Sequence, residues 1–239
     1  MAYQFKVTRL AGAVALSFMA AGTSAGTVDL TYMGTTANNP KGVTIDSTPS
    51  EVTPAFTNPG AFGFKMRTDE NDPMTEFLAW CLDIAHVLGT DTGYGYEITS
   101  TPFMNSFGLN AVQQGRVQSV FDANFSTLDD TDGVEAAGFQ VALWNALYDD
   151  DNSAENGTFS VSASSGIIGK ANDYLLAASS YITSGGAKKF NLTFYESTET
   201  DPQRQNLVSA TPVPLPAAGL LFVSALGGLA ALRRRKRVL

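Results

Sequence analysis

The chain has 239 residues, with 23 acidic and 15 basic side chains and a formal net charge of −8. All 23 acids but only 8 of the bases (8 − 23 = −15) lie between Gly26 and Pro212, a balance that excludes a nucleic-acid surface, since phosphate contacts need cations. One cysteine, Cys81, excludes an intramolecular disulfide, and one histidine, His86, excludes a His-rich zinc site.

From the N-terminus, Lys6 and Arg9 precede an apolar stretch from Leu10 to Ala21 that is short for a membrane span. Thr23-Ser24-Ala25 then offers small residues for cleavage, so residues 1–25 read as a signal peptide and Gly26 as the new N-terminus, with a retained N-terminal anchor as the alternative. Val28, Leu30 and Tyr32 alternate, as do Phe62, Phe64 and Met66, which predicts strands separated by turns at Asn38-Asn39-Pro40 and Asn58-Pro59-Gly60. Thr75 to Ile84 is a more continuous apolar run containing Phe77, Leu78, Trp80 and Cys81, expected to be a buried strand. Tyr94 to Thr99 is a further short strand.

The pattern changes after Pro102. Leu109, Val112, Val117, Val120, Phe121 and Phe125 have near-helical spacing, predicting a helix over Asn110 to Leu128. Asp132 followed by Glu135 reads as a capping box for a second helix ending near Tyr148. A strand at Gly157 to Ala163 precedes a third helix over Ser165 to Ile182, with Ile168, Ala171, Leu175, Ala178 and Ile182 inward. Phe190, Leu192 and Phe194 alternate in a last strand, and Ser197 to Pro212 reads as a polar linker. The fold class expected is mainly β with α: an antiparallel β-sandwich or barrel over 26–196 with a helical insertion at about 103–183.

The end of the chain carries a tripartite pattern. Val213-Pro214-Leu215-Pro216-Ala217 opens a charge-free apolar stretch to Leu232, 20 residues, or roughly 30 Å as a helix. Arg233-Arg234-Arg235-Lys236-Arg237 follows, a basic cluster that resists translocation and places the body on the far side of the membrane. The two prolines cannot sit within a regular helix and hold an extended segment that a processing enzyme can grip. Motif, helix and basic tail at 213–239 together resemble the VPLPA-CTERM signal, a variant of the PEP-CTERM signals of exported Gram-negative proteins. The resemblance implies cleavage by an exosortase, membrane anchoring of the precursor, a final place at the cell surface or outside, and association with exopolysaccharide or biofilm matrix. An ordinary C-terminal transmembrane anchor is the plain alternative.

Enzyme templates are missing: there is no Gly-x-Ser-x-Gly elbow and no phosphate loop, and no cofactor is expected. Asp129, Asp130 and Asp132, with Asp149, Asp150 and Asp151, could supply oxygens to calcium, but their spacing matches no EF-hand loop, so no metal site is assigned. The segments Phe77-Leu78-Ala79-Trp80-Cys81-Leu82-Asp83 and Gly138-Phe139-Gln140-Val141-Ala142-Leu143-Trp144 resemble the two defining segments of bacterial thioester domains, although Phe139 stands where that pattern has Thr or Ser. The resemblance implies a bond between the sulfur of Cys81 and the side-chain carbon of Gln140, with Trp144, one helical turn on, shielding it from water. Three functions are thus expected in order: a non-catalytic structural or adhesive matrix protein; a covalent adhesin that captures surface amines; and a carbohydrate-binding module using Tyr94 and Tyr96. Against the second stands a plain reading of Cys81 as a small buried hydrophobe and Gln140 as a strand-edge cap.

Overall fold

The computed structural model describes residues 26–68, 75–99, 102–104 and 106–214; residues 1–25, where a signal peptide is expected, and the segment from Leu215 to Leu239 lie outside them. The elements in order are β1 (Gly26–Thr35), β2 (Lys41–Gly42), β3 (Thr44–Ser47), β4 (Gly60–Ala61), β5 (Phe64–Thr68), β6 (Glu76–Cys81) and β7 (Tyr94–Thr99). There follow α1 (Ala111–Asn124), α2 (Gly133–Tyr148), β8 (Ser160–Ser162), α3 (Ser165–Thr183), β9 (Phe190–Ser197) and β10 (Leu207–Pro212).

Six strands close into a barrel in the order β1-β5-β6-β10-β9-β7, every neighbour antiparallel, while β2 pairs with β4 and β3 with β8 outside it. Closure gives each of the six strands a partner on both sides. Because directions alternate around the ring, Gly26 at the start of β1 and Pro212 at the end of β10 lie at one rim, and Cys81 at the end of β6 lies at the other. The three helices are inserted between β7 and β9, as the change of periodicity after Pro102 predicts.

One sequence expectation fails at the C-terminal side. Residues 197–212 are not a linker: Leu207 to Pro212 form a barrel strand between β6 and β9, with Leu207 and Val208 fully buried. Small polar residues (Ser209, Thr211) alternate there with few large apolar ones, so the segment has strand geometry without a strand-like apolar pattern.

α2 is the centre of the helical layer. Everything from Ala136 to Tyr148 is buried, the mark of a helix covered on all sides. Asp132 accepts from the N–H groups of Val134 and Glu135 as its N-cap. The reciprocal half of the expected box is absent, because Glu135 turns to Lys170 at 2.6 Å and to the N–H of Asp129. The complete box belongs to α1: Asn110 caps Val112 and Gln113, and Gln113 returns to Asn110 N–H at 2.8 Å. Gly138 lets α3 approach closely, since a Cβ there would lie 2.6 Å from that of Lys170. Phe139 joins the layers, its ring 4.8 Å from Trp80 of β6 and 5.3 Å from Phe121 of α1. One predicted inward position faces out instead: Ile182 is exposed near the end of α3, and Val112 is likewise exposed in the first turn of α1.

Candidate functional site

The site begins with a register. Phe64 of β5 stands opposite Ala79 of β6, so a longer β5 would set Phe62 opposite Cys81. The chain leaves the ladder before that point, and the N–H and C=O of Cys81 on the β5 side have no strand partner. Leu82 N–H already points the other way, to the carbonyl of Asn206 beside β10. Gln140 of α2 fills the vacancy: Cys81 N–H donates to its Oε1 at 3.0 Å, and its Nε2 donates to Cys81 C=O at 2.7 Å. A primary amide has the donor and acceptor of a peptide unit, so the side chain replaces one rung of the ladder. Both residues are buried, and they are 59 positions apart in sequence.

The sulfur stands off the plane of that ladder, because Cβ projects out of the pleat. It is held by its own turn: Sγ donates to Asp83 C=O at 3.1 Å and accepts from Asp83 N–H at 3.2 Å. Burial pushes the thiol pKa far up and the Asp83 carboxylate pushes it further, against smaller opposing effects from the Trp144 indole N–H and the Asp83 backbone. The thiol is therefore protonated in the folded protein. The Trp144 N–H lies by the sulfur but has no hydrogen-bond partner of its own.

Gln140, Trp144 and Tyr148 recur every four residues and form one stripe of α2. Gln140 meets Cys81, and the Tyr148 hydroxyl donates to Leu82 C=O at 3.1 Å and accepts from Ile84 N–H at 3.3 Å. The stripe follows the chain from residue 81 to residue 84, with Trp144 between its two hydrogen-bonded ends. Of the three residues that the thioester resemblance singles out, Cys81 and Gln140 are hydrogen-bonded to each other and Trp144 lies by the sulfur, while Tyr148 and Asp83, to which sequence reasoning assigned no role, complete the contact region. The four-residue spacing beyond Trp144 is a signal from which Tyr148 could have been found.

Asp83 also organises the next turn. Its buried carboxylate accepts from Ala85 N–H at 2.9 Å and pairs with His86 Nδ1 at 2.7 Å. That contact raises the pKa of His86, and partial burial opposes the rise. His86 thus engages Asp83, and no contact with the Cys81 sulfur of the kind a cysteine hydrolase requires is formed. A cavity of about 470 Å³ opens here, lined by Glu51, Asp83, His86, Ser106, Phe107 and Tyr148 among others.

The remaining candidates are taken up by the fold. Tyr96 is buried in the core, and the ring of Tyr94 is covered by the Arg204 guanidinium at 4.4 Å, so neither is a free platform for a sugar ring. Asp129 binds Thr131, Asp132 caps α2, Asp149 accepts from Asp150 and Phe159, and Asp151 from Ser153. Among the described residues no group of three or more His, Cys, Asp or Glu is placed to hold a metal ion. Of the expected sorting motif at 213–217 only Val213 and Pro214 are described, and Val213 N–H donates to Lys189 C=O at 2.8 Å. No described helix is long and apolar enough to cross a membrane, and the residues from Leu215 to Arg237 lie outside the described part.

No family model matches the chain, and no curated protein matches it. Two solved structures are similar in outline. One is the N-terminal thioester domain of a surface protein from Clostridium perfringens, a cysteine-to-alanine mutant, at 14% identity and TM-score 0.38, covering 73% of this chain and 100% of that one. The other is the N-terminal domain of the Streptococcus pyogenes pilus tip adhesin Cpa, at 11% identity and TM-score 0.40, covering 78% of this chain and 94% of that one.

Proposed function

We propose that this chain is an exported surface or matrix protein that acts by attachment without turnover, and that Cys81 and Gln140 form the bond through which it attaches. The observation that carries this reading is the side-chain amide of Gln140 lying against Cys81, its Oε1 on the Cys81 N–H. That donor polarises the amide carbonyl and supports negative charge on its oxygen. For the bond to form, Sγ leaves Asp83, turns over the face of the amide and attacks Cδ. The thiol proton and the amide nitrogen depart as ammonia, and a thioester remains. A primary amine then attacks Cδ, the C–S bond opens, one amine proton passes to sulfur, and an amide joins the two partners while the thiol is restored. The test is the intact mass of the mature protein, which should be one ammonia below the sequence mass, with Cys81 resistant to alkylation until methylamine is added. Cys81→Ala and Gln140→Ala should each show the full sequence mass of the variant. A wild-type protein of full mass, alkylated on denaturation alone, overturns the covalent reading.

A second reading is favoured by a specific observation: both ends of the Gln140 amide are already satisfied, and the thiol is held protonated. In that case Gln140 is a structural clamp on β6 and Cys81 is inert. Attachment then rests on non-covalent contacts with exopolysaccharide or other surface components.

Delivery by the C-terminal segment belongs to the same proposal. An exosortase would cut near Val213–Ala217 while the apolar helix and Arg233–Arg237 hold the precursor in the membrane. Mature protein should lack the five terminal cations, and replacing Pro214 and Pro216 by alanine should leave uncut precursor. Mature protein that keeps Arg233 to Arg237 in exosortase-bearing cells leaves only an ordinary anchor.

A further inference from the structure

We propose that the cavity beside the Cys81–Gln140 contact docks an alkyl ammonium, such as a lysyl side chain, between Glu51 and His86. As the place from which an amine reaches the bond it rests on the covalent reading above; as a docking site it is tested without it.

Asp83 ties the cavity to the sulfur. Asp83 lines the cavity; its main-chain N–H and C=O hold Sγ, and its buried carboxylate fixes the His86 ring through Nδ1. With Nδ1–H given to Asp83, the neutral imidazole keeps its lone pair on Nε2, an acceptor for an ammonium proton. Glu51, exposed at the mouth, supplies the charge that a rim-bound cation needs. Phe107 and Tyr148, their rings 5.3 Å apart, and Val52 give the alkyl stem an apolar wall. No Lys or Arg lines this cavity, so no fixed cation competes. The surplus of acids over bases from Gly26 to Pro212 attracts cations at longer range.

The groups facing His86 are Asp83 from its own turn, Glu51 across the cavity and Tyr148 from α2, with Gln205 Nε2 on its carbonyl. Asp83 keeps the ring protonated above its ordinary range, so docking strengthens as pH rises through that raised value.

His86 is the only histidine, so its C2 proton gives one imidazole signal in the NMR spectrum. The mature protein carrying Cys81→Ala, which cannot form a thioester, is titrated with Nα-acetyl-lysine methylamide and, separately, with Nα-acetyl-norleucine methylamide. The lysine probe should shift the signal saturably, the norleucine probe should not, and Glu51→Gln should weaken the lysine response by about two- to fivefold. No saturable shift, or equal shifts with both probes, overturns the inference even if the wild-type mass shows the thioester. A lysine-specific shift beside a wild-type protein of full mass leaves the docking site standing and removes the covalent reading alone.

Discussion

Gln140 spends both ends of its amide on the backbone of one residue, and that use sets the cost of removing it. Gln140→Ala leaves a buried N–H and a buried C=O on Cys81 without partners, at roughly 1–3 kcal/mol each. Cys81→Ala keeps both bonds and loses only a small buried group, about 1 kcal/mol. Urea titration should therefore rank the two variants widely apart, and equal midpoints would show that water replaces the amide. His86 gives a pH signature. Its folded pKa is raised by Asp83, so its stabilising contribution is complete below about pH 6.5 and disappears as pH rises through the folded value. His86→Asn should lower the urea midpoint at about pH 5.5 and converge with wild type at about pH 9, and a constant difference across that range would refute the coupling. Cys81, Gln140 and Trp144 could be singled out because the two segments that hold them resemble those of thioester domains. The reason for their contact was not legible, since it depends on where β5 leaves the ladder, a property of two strands and a helix together.

Among the elements, helices were easier to read than strands. α2 announces itself through Asp132 and a run of apolar and small residues interrupted only by Glu135, Gln140 and Asn145, whereas the capping box of α1 is masked because Asn110 and Gln113 lie in a polar stretch. The β10 strand was missed for a physical reason: its neighbours β6 and β9 supply the aromatic bulk, Phe77 stacking on Tyr195 at 5.2 Å, so β10 itself can be small and polar. The packing of α2 on α3 gives the prediction at this scale. Gly138→Ala drives a methyl against Lys170 Cβ and within 3.1 Å of the Ala171 nitrogen. Overpacking of this kind costs about 1–3 kcal/mol despite the better helix propensity of alanine. Thermal unfolding of the variant at a lower temperature than wild type is expected, and an increase would mean that α3 shifts freely.

For the whole molecule, the barrel sets the limits of what can be cut away. A chain ending at Ser197 removes β10, strips a partner from both β6 and β9, and exposes two ladder edges. Such a chain should be insoluble or aggregate, whereas one from Gly26 to Pro214 should be soluble and monomeric on size-exclusion chromatography. A soluble, folded product ending at Ser197 would contradict the closed ring. The barrel-with-insertion architecture was legible from the order of periodicities, but the boundary of the body was misplaced by one strand, and closure depends on that strand.

The placing of Gly26 and Pro212 at one rim and Cys81 at the other also determines how the molecule carries force. If the protein is held beyond Pro212 and gripped at residue 140, tension runs along β10, and its ladders to β6 and β9 are loaded in shear, all rungs at once. Pulled between Gly26 and Pro212, which leave the same rim, the barrel is instead peeled rung by rung. Single-molecule pulling through those two pairs of handles should give a markedly higher rupture force for the first, making this body a tether that is stiff along one line and weak across it.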